Sequence, residues 1–96
     1  MSSYLEKMFG LTGKTVVVTG AGQGIGQTIA QGFAKAGAEV VIIGRTLSKC
    51  EQTVELIKAE GGKAYAIQAD VVKEEEVDAA VAKIVETSGK IDVLFN

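Results

Sequence analysis

Thr19-Gly20-Ala21-Gly22-Gln23-Gly24-Ile25-Gly26 follows directly on a β-branched run, Thr15-Val16-Val17-Val18, and leads into apolar residues spaced four apart, Ile25, Ile29 and Phe33. A run without polar alternation reads as a strand buried on both faces, and the four-residue spacing as one face of a helix. The glycines therefore stand where a buried strand turns into a helix. A helix N-terminus offers unpaired N–H groups and a partial positive charge, and glycine lets a phosphate approach the backbone with no Cβ in the way. Gly20 suits the tight turn, Gly24 the close approach, and Gly26 the packing of the helix on the sheet. The usual dinucleotide spacing requires glycine where Ile25 stands, and the Gly-Lys-Ser/Thr ending of a nucleoside-triphosphate loop is missing. A dinucleotide is thus the expected ligand of a turn that comprises Gly20, Gly22, Gln23, Gly24, Ile25 and Gly26.

Outward from this turn the same alternation recurs. Val40-Val41-Ile42-Ile43 predicts a second strand, which Gly44-Arg45-Thr46 closes, with Thr46 able to cap the following helix. Leu47, Cys50, Val54 and Ile57 mark that helix's buried face, Gly61-Gly62 ends it, and Ala64 to Ile67 predict a third strand ending at Asp70. Glu74, Glu75 and Glu76 open a third helix as a solvated, dipole-favoured start. Val77, Val81, Ile84 and Val85 are expected to be its buried stripe, and Ile91 to Phe95 begin a fourth strand. Such βαβ repetition specifies an α/β fold with a parallel sheet.

Composition narrows the function. The 96 residues carry 10 Lys and Arg against 12 Asp and Glu, a net charge of −2 that disfavours nucleic acid, which needs a concentrated basic patch. One cysteine and no histidine exclude an internal disulfide and the commonest metal ligand, so no metal is expected and a reduced, cytoplasmic setting is. No apolar run approaches the roughly 20 residues of a membrane span, and the leader from Met1 to Lys14, interrupted by Glu6 and Lys7, reads as a surface flap and not a signal peptide.

In its Thr-Gly-x-x-x-Gly-x-Gly turn the chain resembles the short-chain dehydrogenase/reductase family, and the similarity continues through Phe9 to Lys14, Asp70-Val71 and Ile91 to Asn96. The resemblance implies a Rossmann-type doubly wound parallel sheet with strand order 3-2-1-4, of which residues 1–96 would be a single partial domain, the cofactor-binding N-terminal half. It also implies that Asp70 and Val71 hold the adenine ring and that Asn96 begins the family's Asn-Asn-Ala-Gly motif. The family's catalytic Ser, Tyr and Lys are expected outside these residues, because neither Tyr4 nor Tyr65 has a Lys four positions on. The expected activity is hydride transfer between a nicotinamide cofactor and a small carbonyl or alcohol substrate of sugar, sugar-acid or 3-oxoacyl type, in a homotetramer. A non-catalytic nucleotide sensor of the same fold is the alternative.

An NAD site carries Asp or Glu at the end of strand two, about 20 residues past the glycines, to bind the ribose 2′-OH. Gly44 stands there, with Arg45 next to it. Removing a carboxylate and adding a guanidinium favours a 2′-phosphate, so NADP(H) is expected over NAD(H).

Overall fold

Residues 10–20 and 24–96, which the computed structural model describes, form four strands and three helices in strict alternation. They are β1 (Thr15–Thr19), α1 (Gly24–Lys35), β2 (Glu39–Gly44), α2 (Leu47–Ala59), β3 (Lys63–Gln68), α3 (Glu74–Ser88) and β4 (Val93–Phe95). All strand pairs are parallel, and the order is β3-β2-β1-β4, as the family resemblance implies. The leader up to Phe9, with Gly22 and Gln23 of the turn, lies outside the described residues.

The β-branched strands work because successive side chains point to opposite faces. Val16, Val18, Val40 and Ile42 pack with Ala30 of α1 and with Cys50, Val54 and Ile57 of α2, while Val17, Val41 and Ile43 pack on the other face with Ala80 and Ile84 of α3. Both faces of β1 and β2 are thereby buried, which their unbroken apolar runs require. Aligned register, with Val16 opposite Val40 and Val17 opposite Val41, keeps each side chain on its own face. Phe95 extends the first cluster, its ring meeting that of Phe33 edge to face at 6.0 Å between centroids.

Four expectations about the helices need correction. Ile25 is 79% exposed, because the first turn of α1 stands past the carboxyl end of β1 and has no sheet beneath it; Ala30, Phe33 and Ala34 make the contact instead. Val81 and Val85 are 42% and 48% exposed, since Ala80 and Ile84 make the contact with the sheet and each next position lies about 100° further round the helix. Leu47 is likewise exposed at the outset of α2. Thr46 occupies the N-cap of α2, but its hydroxyl makes no capping bond; its carbonyl accepts from Lys49 and Cys50 N–H. Gly89 closes α3 as expected, in the left-handed conformation at φ +84° with its N–H on the Val85 carbonyl at 2.9 Å.

Candidate functional site: the crevice at the carboxyl ends of the strands

The chain leaves β1 for β2 on one side of the sheet and later places β4 on the other side of β1. This reversal leaves the carboxyl ends of the central strands uncovered, the place where open α/β sheets bind ligands. A crevice of about 580 Å³ opens there. Gly20, Arg45, Asp70, Val71 and Asn96 line it together with Gly44, so five of the ten residues expected to bind cofactor share one cavity. Gly24, Ile25 and Gly26 form the first turn of α1, and Gly22 and Gln23 are outside the described residues.

Each residue arrives by a local cause. Gly20 turns the chain out of β1 at φ +72°, with its N–H on the Ile43 carbonyl at 3.2 Å, and a Cβ there would meet no atom of the described residues within 4 Å. Gly24 starts α1 at φ +47°, again with no atom of the described residues within 4 Å of an added Cβ. No acidic residue occupies the first turn of α1, so the positive end of its dipole is not offset there. Gly20 and the start of α1 thus present bare backbone and the positive end of a helix dipole, the chemistry that suits an anion.

Asp70 is fixed on both sides. Its Oδ1 accepts from the Val72 N–H at 3.1 Å, and its own N–H donates to Glu76 Oε1 at 2.9 Å. Glu76 also pairs with Lys73 Nζ at 3.6 Å. The three glutamates are not one uniform solvated helix start: Glu76, at the third helical position, reaches back past the N-cap Lys73 and holds the turn at the Asp70 N–H. Asn96 is tied to β1, its Oδ1 accepting from Thr19 Oγ1 at 3.0 Å. That bond joins the ends of two neighbouring parallel strands and was not foreseen.

Arg45 is held by its backbone, with its carbonyl accepting from Gln68 Nε2 at 3.0 Å, while its exposed guanidinium has no hydrogen bond or ion pair among the described residues. A neighbouring polar hollow of about 320 Å³ adds Lys73, a second cation that sequence reasoning passed over. Gly44 is constrained from below: a Cβ built on it would stand 2.7 Å from Cys50 Sγ. Burial pushes the Cys50 thiol above its usual range, so this neighbour is uncharged. Among the described residues no group of His, Cys, Asp and Glu could hold a metal ion, and no helix is long and apolar enough to cross a membrane.

Comparison with known proteins shows the family and its fold. A family model described as short chain dehydrogenase matches residues 14–96. The short-chain dehydrogenase/reductase homolog YusS of Bacillus subtilis is 45% identical over 84 residues, which are 86% of this chain and 77% of that protein. The 5-keto-D-gluconate 5-reductase of Escherichia coli K12 is 40% identical over 92 residues, 96% of this chain but 36% of that one. Among solved structures, a metagenomic short-chain oxidoreductase in complex with NADP superposes with a TM-score of 0.84 at 34% identity, over 88% of this chain and 38% of its own. The chain thus spans little more than a third of the reductase and of the NADP complex.

Proposed function

The chain belongs to the short chain dehydrogenase family, and on that premise we propose that it forms the NADP(H)-binding part of an oxidoreductase acting on a carbonyl or alcohol substrate. The observation that carries this reading is the crevice where Gly20, Gly44, Asp70 and Asn96 converge beside the Arg45 guanidinium, which has no ion pair among the described residues. The bound cofactor supplies the hydride that the reaction exchanges with the substrate carbon. The chain's own part is to bind and orient. The start of α1 at Gly24, Ile25 and Gly26, together with Gly20 at the end of β1, receives the pyrophosphate on backbone N–H groups, and Gly22 and Gln23, which lie outside the described residues, are assigned to the same loop on the family resemblance. Arg45 pairs with the 2′-phosphate in a bidentate arrangement that suits a guanidinium. Asp70 and Val71, held by Glu76, border the adenine, and Asn96 fixes the end of β4 through Thr19.

The substrate proposed is a sugar or sugar acid, with a 3-oxoacyl thioester next; similarity to the 5-keto-D-gluconate reductase supports the first. The proton-transferring Ser, Tyr and Lys, assembly as a homotetramer and a cytoplasmic setting are proposed for the whole protein on the family resemblance.

Titration of an Arg45→Ala variant with NADP(H) and NAD(H) tests the cofactor. Charge-assisted bonds contribute about 1.5–3 kcal/mol each, so NADP(H) affinity should fall roughly ten- to a hundredfold while NAD(H) affinity stays nearly level. Equal losses for the two cofactors would remove Arg45 from the 2′-phosphate site.

A further inference from the structure

Gly44 and Cys50 meet at the end of β2, at the one position where a nicotinamide site chooses between a hydroxyl and a phosphate on the adenosine ribose. Backbone conformation does not demand glycine there, because Gly44 is absent from the residues with positive φ. What excludes a side chain is a neighbour. The 2.7 Å between a Cβ at position 44 and Cys50 Sγ is shorter than real Cβ atoms tolerate, so one of the two must move. Cys50 has little room to do so. It is 2% exposed, packed in the cluster that includes Val54 and Ile57, and its single side-chain torsion in an α-helix is denied one of its three staggered wells.

We propose that Cys50 is a specificity-determining residue: its thiol fills the volume that a side chain at position 44 needs, and so keeps a carboxylate out of the ribose subsite beside Arg45. The inference rests on the proposed reading of the crevice as an NADP(H) site. Cys50 does not itself contact the cofactor; it acts through the residue that can stand at position 44. A carboxylate at 44 and a thiol at 50 are therefore incompatible in this chain, and recognition of a 2′-hydroxyl requires both positions to change.

Two sets of variants separate the steric claim from the cofactor claim. In the first, Gly44→Ala, Cys50→Ala and their combination are melted without cofactor, a cycle that contains no new charge. Gly44→Ala should lower Tm by about 4 °C or more, and the double variant should melt higher than the two single losses predict. In the second, Gly44→Asp, Cys50→Ala and Gly44→Asp/Cys50→Ala are titrated with NAD and with NADP. Cys50→Ala should still prefer NADP, Gly44→Asp should bind both poorly with a lowered Tm, and the double variant should fold, lose NADP at least tenfold and gain NAD relative to Cys50→Ala. Additive melting losses, or a Gly44→Asp variant as stable and as NAD-selective as the double, would overturn the proposal. A non-additive cycle in a parent that binds NAD as tightly as NADP keeps the contact but overturns the specificity role, and it is then the NADP reading that has failed.

Discussion

The two rims of the sheet are built from similar residues and behave oppositely. At the amino ends of the strands polar groups close on one another: the Thr15 N–H donates to Asp92 Oδ2 at 2.8 Å, and the Asp92 N–H to the Thr15 carbonyl at 2.9 Å. Ser88 Oγ donates to Glu39 Oε1 at 2.6 Å, which leaves the Tyr65 hydroxyl to donate to Ser88 at 2.7 Å. At the carboxyl ends the Arg45 guanidinium has no partner among the described residues, glycines replace side chains, and about 580 Å³ is open between the strands. Polar groups that satisfy each other hold a fold together; polar groups left open in a concavity are available to a ligand. The amino rim should therefore respond to mutation in stability alone, and the carboxyl rim chiefly in binding.

The largest effect expected from this contrast is at Gly24. Valine there must adopt φ near +47°, which costs a β-branched residue about 1–3 kcal/mol, and its side chain would stand where a phosphate meets the helix start. Cofactor affinity should drop on the order of a hundredfold or more, as several charge-assisted bonds are lost together. Equilibrium titration of a variant first shown to be folded makes the check. Undiminished affinity would mean that the carboxyl rim is not the binding rim.

A smaller and opposite response is expected at Tyr65. Tyr65→Phe removes the hydroxyl that donates to Ser88 and should cost about 1 kcal/mol of stability, measured by denaturant unfolding. Its cofactor affinity should match the parent's, because the bond lies at the other end of the strands. A changed affinity would couple the rims and break the contrast between them.

Much of this arrangement was legible from residue order, and the parts that were not share a cause. β1 and β2 announced themselves because strands buried on both faces have no polar positions, and the turns at Gly20 and Gly24 because positive φ favours glycine. The order of the strands came with the family resemblance. Periodicity marks an apolar stripe but not the line along which it touches the sheet, hence the exposed Val81, Val85 and Ile25. Contacts between elements leave no trace in spacing: Glu76 on the Asp70 N–H, Thr19 on Asn96, and Cys50 beneath Gly44 each depend on how a helix or strand end is seated.

The finest test of the contrast is the pH response of Asp92, which clamps the amino ends of β1 and β4. The Thr15 N–H first, and then Lys90 Nζ at 3.0 Å, hold its carboxyl below the usual aspartate range. A carboxyl that is more acidic in the folded chain than in the unfolded one adds stability that is complete above the unfolded pKa and is lost as pH falls through the folded one. The contribution should thus be present at neutral pH and fade below the ordinary carboxylate range, near pH 4 and under. Asp92→Asn keeps an oxygen for the Thr15 N–H but gives up the charge, so its melting temperature should lie slightly below the parent's at pH 7 and meet it in acid. Because the pair with Lys90 is open to solvent, added salt should narrow the neutral-pH gap. Cofactor affinity at neutral pH should be the same in both. A gap that stays constant from neutral to acid pH would show that the clamp works through hydrogen-bond geometry alone, with no contribution from the aspartate charge.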